Sequence, residues 1–93
     1  MKLGLCDGRH PLPCDKFIFE SIEDIFDYKS LRETAIKVLS SDPDPEVDLY
    51  VTGLTTALVE VLTAGRICNK TIKLWHYDFA NDTYYPQVLE LWG

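Results

Sequence analysis

The segment Asp48-Leu49-Tyr50-Val51-Thr52-Gly53-Leu54-Thr55-Thr56-Ala57-Leu58-Val59-Glu60-Val61-Leu62 constrains the fold more than any other part of the chain. Val47 to Thr52 is a nearly continuous apolar run, the pattern of a strand covered on both faces. Gly53 breaks it with a turn. Thr55 or Thr56 then opens a helix to Arg66, with Leu58, Val61 and Leu62 as its apolar stripe. A second run rich in β-formers spans Thr71 to Phe79. Strand, helix and strand in this order call for a parallel pair joined by a right-handed crossover. The chain is therefore expected to be α/β, and its 93 residues make one domain, 1–93, with a modest core.

The flanking segments extend this unit. Lys2 to Cys6 reads as a first strand, and Gly8, Pro11 and Pro13 forbid its continuation. Asp15 can cap a helix from Lys16 to Phe26, where Phe17, Ile18, Ile22, Ile25 and Phe26 fit a helical stripe. Ser30-Leu31-Arg32-Glu33 has the form of a capping box and predicts a second helix to Leu39, with Leu31, Ala35, Val38 and Leu39 inward. Pro43 and Pro45 make Ser40 to Glu46 a connector. After a turn at Ala80 to Thr83, Tyr84 to Leu91 returns as an antiparallel edge strand, a place that tolerates Pro86. The expected order is β-α-α-β-α-β-β: a small Rossmann-like, mostly parallel sheet with a C-terminal antiparallel hairpin.

A net charge of −6 argues against coating long nucleic acids, which takes a basic footprint. A small anion held by backbone N–H groups is not excluded by it. The acidic residues fall in two blocks, Glu20 to Asp27 and Asp42 to Asp48, read as solvated faces and a linker. Cys6, Cys14 and Cys68 include no C-x-x-C pair, and their spacing with His10 matches no zinc pattern, so no metal is expected. With neither a signal peptide nor a membrane-spanning run in view, the expectation is a cytoplasmic protein with reduced thiols and no membrane partner.

Ligands of open parallel sheets bind beyond the carboxyl ends of the strands. Two loops fall there: the one carrying Arg9 and His10 after the first strand, and Thr52-Gly53-Leu54-Thr55-Thr56 after the second. Gly53 would let a ligand approach the backbone, and the threonines offer hydroxyls. The helix start adds partial positive charge, and Arg9 and His10 supply cationic side chains. Equally, Thr55 can be a simple N-cap and Gly53 a simple turn, since neither G-x-G-x-x-G nor a P-loop spacing is present. No paired carboxylates and no nucleophile–base pair can be read, so catalytic residues stay unassigned. His76, between Trp75 and Tyr77, fits a packing or hydrogen-bonding role on a sheet face better than that of a base. Tyr77, Phe79, Tyr84 and Tyr85 can pair across the hairpin, cover a dimer seam, or stack on bases.

Arg9-His10-Pro11-Leu12-Pro13 resembles the start of small CRISPR-associated Rossmann-fold (CARF-type) ancillary proteins, and Thr52-Gly53-Leu54-Thr55-Thr56-Ala57, followed by the strand Ile72 to Tyr77, looks like their ligand loop. The resemblance implies binding of a cyclic oligoadenylate in prokaryotic antiviral signalling or its viral evasion, either as a sponge that sequesters it or as a metal-independent ring nuclease. It implies a homodimer matched to a two-fold ligand, without a cofactor. Each subunit would offer Arg9, His10, Thr52, Gly53, Leu54, Thr55 and Thr56. In the cleaving version a ribose 2′-hydroxyl attacks the adjacent phosphate while the protein aligns it. A third reading is a protein-interaction module that uses the acidic segment or the aromatic hairpin and takes no small ligand.

Overall fold

A computed structural model describes residues 1–7, 12–14 and 16–89. The elements are β1 (Lys2–Cys6), β2 (Phe17–Phe19), α1 (Tyr28–Ser40), β3 (Glu46–Tyr50), α2 (Thr55–Ile67), β4 (Thr71–Asp78) and β5 (Thr83–Val88). They form an α/β fold with one five-stranded mixed sheet in the order β2-β1-β3-β4-β5. The first three pairings are parallel, and only β4 with β5 is antiparallel.

The order is thus β-β-α-β-α-β-β, which corrects the expected first helix. Residues 17–19 form a strand paired with β1, and 20–27 run on as a loop. Three consecutive residues, Phe17-Ile18-Phe19, favour a pleated surface, and their burial outweighs a helical stripe that would have had to bury Ile25 and Phe26 as well. Phe26 instead remains 65% exposed. Asp15, the expected cap, lies outside the described residues. The capping box is also displaced. Asp27 is the N-cap of α1 and accepts from the Ser30 N–H at 3.2 Å, so Ser30 lies inside the helix. The remaining elements fall within a residue or two of their expected ends, except that β5 stops at Val88.

Chain direction explains the layers. From β2 through β3 to β4 the chain steps one way across the sheet, so right-handed crossovers put α1 and α2 on the same face. The helices do lie side by side, joined by a 2.8 Å bond from Arg32 Nε to Glu60 Oε1. Beneath them are the alternate strand residues Leu3, Leu5, Val47, Leu49, Ile72 and Leu74, which with Leu31, Ala35, Leu39, Ala57, Val61 and Ala64 make the core. Gly65 of α2 sits directly over the Ile72 side chain, where a Cβ would collide with it. Its absence of side chain serves close helix–sheet packing; it does not end the helix.

The step from β1 to β2 runs the other way, and Leu12, which precedes β2, lies over the opposite face. A Cβ on Gly4 would meet Phe17 Cδ1 at 2.6 Å and Leu12 Cδ1 at 2.9 Å. Aromatic rings continue this cover. Tyr50 stacks on Trp75 (centroids 5.9 Å apart) and meets Tyr84 edge-on at 5.2 Å. Burial, helped by Cys14 nearby, raises the phenol pKa of Tyr84; burial also raises that of Tyr50. Trp75 donates from Nε1 to Asp48 at 3.0 Å, which ties the aromatic layer to the sheet.

Below the amino ends of the strands, the 42–45 connector is fixed by charge. Lys70 is only 7% exposed. Its ammonium donates to the carbonyls of Asp42 and Asp44 at 2.5 and 2.6 Å. The Met1 α-ammonium donates to Asp44 Oδ2 at 2.7 Å and to the Glu46 carbonyl at 3.0 Å. The bond from the Met1 ammonium, with a second from the Glu46 N–H, lowers the pKa of Asp44. A lowered folded-state pKa contributes stability that is fully present above the unfolded carboxylate value and lost as pH falls through the folded one. Urea midpoints measured from neutral pH into the acid range should therefore fall less steeply for Asp44→Asn than for the parent, with the difference confined to the acid limb. Parallel curves would remove Asp44 from the acid response.

Candidate functional site

Strand order reverses between β1 and β3: the chain leaves β1 toward β2 on one side and reaches β3 on the other. In parallel sheets such a switch point opens a crevice at the carboxyl ends of the two strands. Here that rim is formed by Cys6 and Asp7 after β1 and by residues 51–54 after β3.

Thr52 closes the base of the crevice. Its hydroxyl accepts from the Cys6 N–H at 3.2 Å and donates to the Cys6 carbonyl at 3.1 Å. Both functions of the hydroxyl are committed, so Thr52 bridges the two strand ends. Thr52→Val keeps the shape but leaves the Cys6 N–H and C=O without that partner. It should cost about 1–3 kcal/mol in chemical denaturation, with Thr52→Ser recovering most of the loss. No loss in the Val variant would mean that water replaces the bridge.

Gly53 follows at φ +89°, and no described residue lies within 4 Å of where a Cβ would stand. The turn is open to solvent and exposes its backbone. Leu54 is the N-cap of α2, with extended backbone and no side-chain capping bond; its carbonyl accepts from Leu58 N–H at 2.9 Å. Its own side chain packs against the core. Thr55 is then the first helical residue and not the cap. The leading N–H groups of α2 receive no side-chain cap, where a helix carries partial positive charge. The structure so brings Thr52, Gly53, Leu54, Thr55 and Thr56 together at the switch point. Arg9 and His10 lie outside the described residues.

Beside the helix start is a depression of about 310 Å³ lined by Tyr28, Thr55, Thr56, Val59 and Glu60. Tyr28 and Val59 offer exposed apolar surface. Glu60 is 6% exposed, and its carboxylate accepts the Arg32 Nε bond. The Arg32 side chain is about half-exposed at 45%. These four residues were not among the sequence candidates. A signal existed for Glu60: it lies three residues after Ala57 and one before Val61, on the inward side of α2. Leu58 and Leu62, expected inward, are only half-buried.

The Cys6 thiol pKa is raised by burial, which outweighs a lowering from the Asp7 backbone bond and is joined by a lesser rise from the Asp7 charge. A protonated thiol is a poor nucleophile. His76 hydrogen-bonds Gln87 Oε1 at 2.8 Å across the hairpin. Among the described residues no trio of His, Cys, Asp or Glu is placed to hold a metal ion, and no helix is long and apolar enough to cross a membrane. No family model matches the chain, and neither the curated proteins nor the solved structures provide a match.

Proposed function

We propose that the chain is a Rossmann-like domain that binds a small phosphate-bearing ligand at the β1/β3 switch point, of the cyclic oligonucleotide class to which the cyclic oligoadenylates belong, and sequesters it. One observation carries the reading: α2 starts without a side-chain cap, behind an open glycine turn, where the strand order reverses. Tyr28 adds an aromatic face next to that helix start, suited to a base whose phosphate meets the N–H groups. The Rossmann-like description rests on the four parallel strands and their order. The CARF-type resemblance supplies the ligand class, the role in antiviral signalling and the homodimer. Sequestration is preferred to cleavage because the Thr52 hydroxyl is committed to Cys6 and the Cys6 thiol is protonated, which leaves neither to act as a base.

Native mass spectra with a panel of cyclic oligonucleotides, cyclic oligoadenylates included, test this. An intact ligand on a dimer supports sequestration. Linear or halved fragments overturn it in favour of a ring nuclease, and no adduct overturns the ligand reading altogether. Gly53→Trp should abolish the adduct, whereas Gly53→Asn, which tolerates positive φ, should keep it. Retained binding in the Trp variant would move the site elsewhere.

A further inference from the structure

A second groove, of about 470 Å³, runs between the edge strand β2 and the first turns of α1. Buried Ile18 and Leu31 lie in its floor. Its walls carry Glu20, Glu23, Asp24 and Asp27, and among the described residues neither lysine nor arginine lines it. Asp24 and Asp27 each accept one backbone N–H, from Phe26 and Ser30. Among the described residues none of the four carboxylates is ion-paired. Phe26, 65% exposed, projects from the same loop.

The groove is bordered by an open sheet edge. Among the described residues β2 pairs with β1 alone, with Gly4 opposite Phe17 and Cys6 opposite Phe19. The Gly4 N–H bonds the Lys16 carbonyl at 2.8 Å. In a parallel ladder with that bond, the residue facing Gly4 turns its own N–H and C=O away from β1. Phe17, and Phe19 by the two-residue period, therefore present backbone donors and acceptors outward.

We infer that this groove docks an extended segment of a partner protein that carries lysine or arginine beside an apolar anchor. The segment adds as a strand along β2, seats its apolar side chain over Ile18 and Leu31, and sets its cations against the four carboxylates. Charge complementarity selects this occupant. Four unpaired carboxylates beside an apolar floor repel a phosphate backbone. They also repel a second copy docked edge to edge, which would bring another such quartet against the first. A short edge strand flanked by acids discourages pairing with itself while admitting a basic strand. The inference is independent of the ligand proposed at the rim.

The test uses the full chain, ¹⁵N-labelled, and a fluorescein-labelled peptide of alternating lysine and valine, with a glutamate-for-lysine peptide as control. The lysine peptide should bind and shift amides within 17–34; the glutamate peptide should not. Binding should weaken roughly tenfold in Glu20→Gln/Glu23→Gln, exposed positions whose change leaves the fold intact, and further in Glu20→Lys/Glu23→Lys. Added salt should weaken it as well. Unchanged affinity in both variants overturns the proposal, as do shifts mapping to β5 or α2. Concentration-dependent self-association that shifts the same amides would assign the groove to a second copy. A single-stranded RNA that shifts them would make it a nucleic-acid surface. Either outcome overturns the basic-segment reading.

Discussion

Leu49→Ala should remove about 2–5 kcal/mol of stability, through lost transfer energy and the cavity left behind. Leu49 is wholly buried in β3, the middle strand. Its register partners are Leu3 on one side and Leu74 on the other, and the helices close it from above. No neighbour is free to collapse into the space, since each is pinned by its own ladder. A domain of this length holds on the order of 5–14 kcal/mol in total, so the loss is a large share of it. The midpoint of thermal unfolding should fall by roughly 8–40 °C, taking about 4–8 °C per kcal/mol. Val59→Ala is the control. Val59 is 52% exposed on α2, so its loss should stay within about 0.5 kcal/mol. Similar effects at the two positions would contradict the placement of the core beneath the helices.

Gly4→Val sets two effects of opposite sign against each other. Valine favours a strand, and replacing a strand glycine should stabilise by about 0.5–1 kcal/mol. The position has no room, however: the first added carbon already meets Phe17 and Leu12 below 3.0 Å, before the valine methyls are counted. Overpacking of this kind costs about 1–3 kcal/mol, so packing wins and the variant should be destabilised. Truncating the obstacle, as in Gly4→Val/Phe17→Ala, should recover part of the loss, giving a coupling energy above about 0.5 kcal/mol in a double-mutant cycle. A stabilised single variant would mean that Leu12 and the Phe17 ring do not cover that face.

The β3–α2–β4 unit was legible because each part announces itself over many residues. Val47 to Val51 and Thr71 to Tyr77 are sustained strand patterns, and Gly53 lies between the first of them and a helix with regular apolar spacing. Residues 16–26 were not, for a physical reason. A three-residue strand followed by a loop with Ile22, Ile25 and Phe26 satisfies helical spacing by coincidence, and only the Gly4 pairing identifies Phe17–Phe19 as a strand. Asp27 and Ser30 are both competent caps one turn apart, and the choice between them depends on where the preceding loop ends. At the site, the Gly53 turn and the helix start were readable, but the engagement of Thr52 by Cys6 was not. That bond joins residues 46 apart in sequence. Tyr28, Arg32 and Glu60 come together only because α1 and α2 share a face, which follows from strand order and not from local pattern.

The position of β1 between β2 and β3 has a consequence for biosynthesis. The strand at the start of the chain finds one partner early, but its other side pairs through Lys2 with Asp48 and through Gly4 with Tyr50. Until the ribosome has delivered that distant stretch, the first strand keeps one unpaired edge in the emerging polypeptide. At ordinary elongation speeds the wait is on the order of several seconds. Parallel pairing at long range is also slow to nucleate once the segments are available. Between the emergence of β1 and that of β3 this edge is thus open to wrong partners, and a chaperone that protects it has to act before β3 emerges.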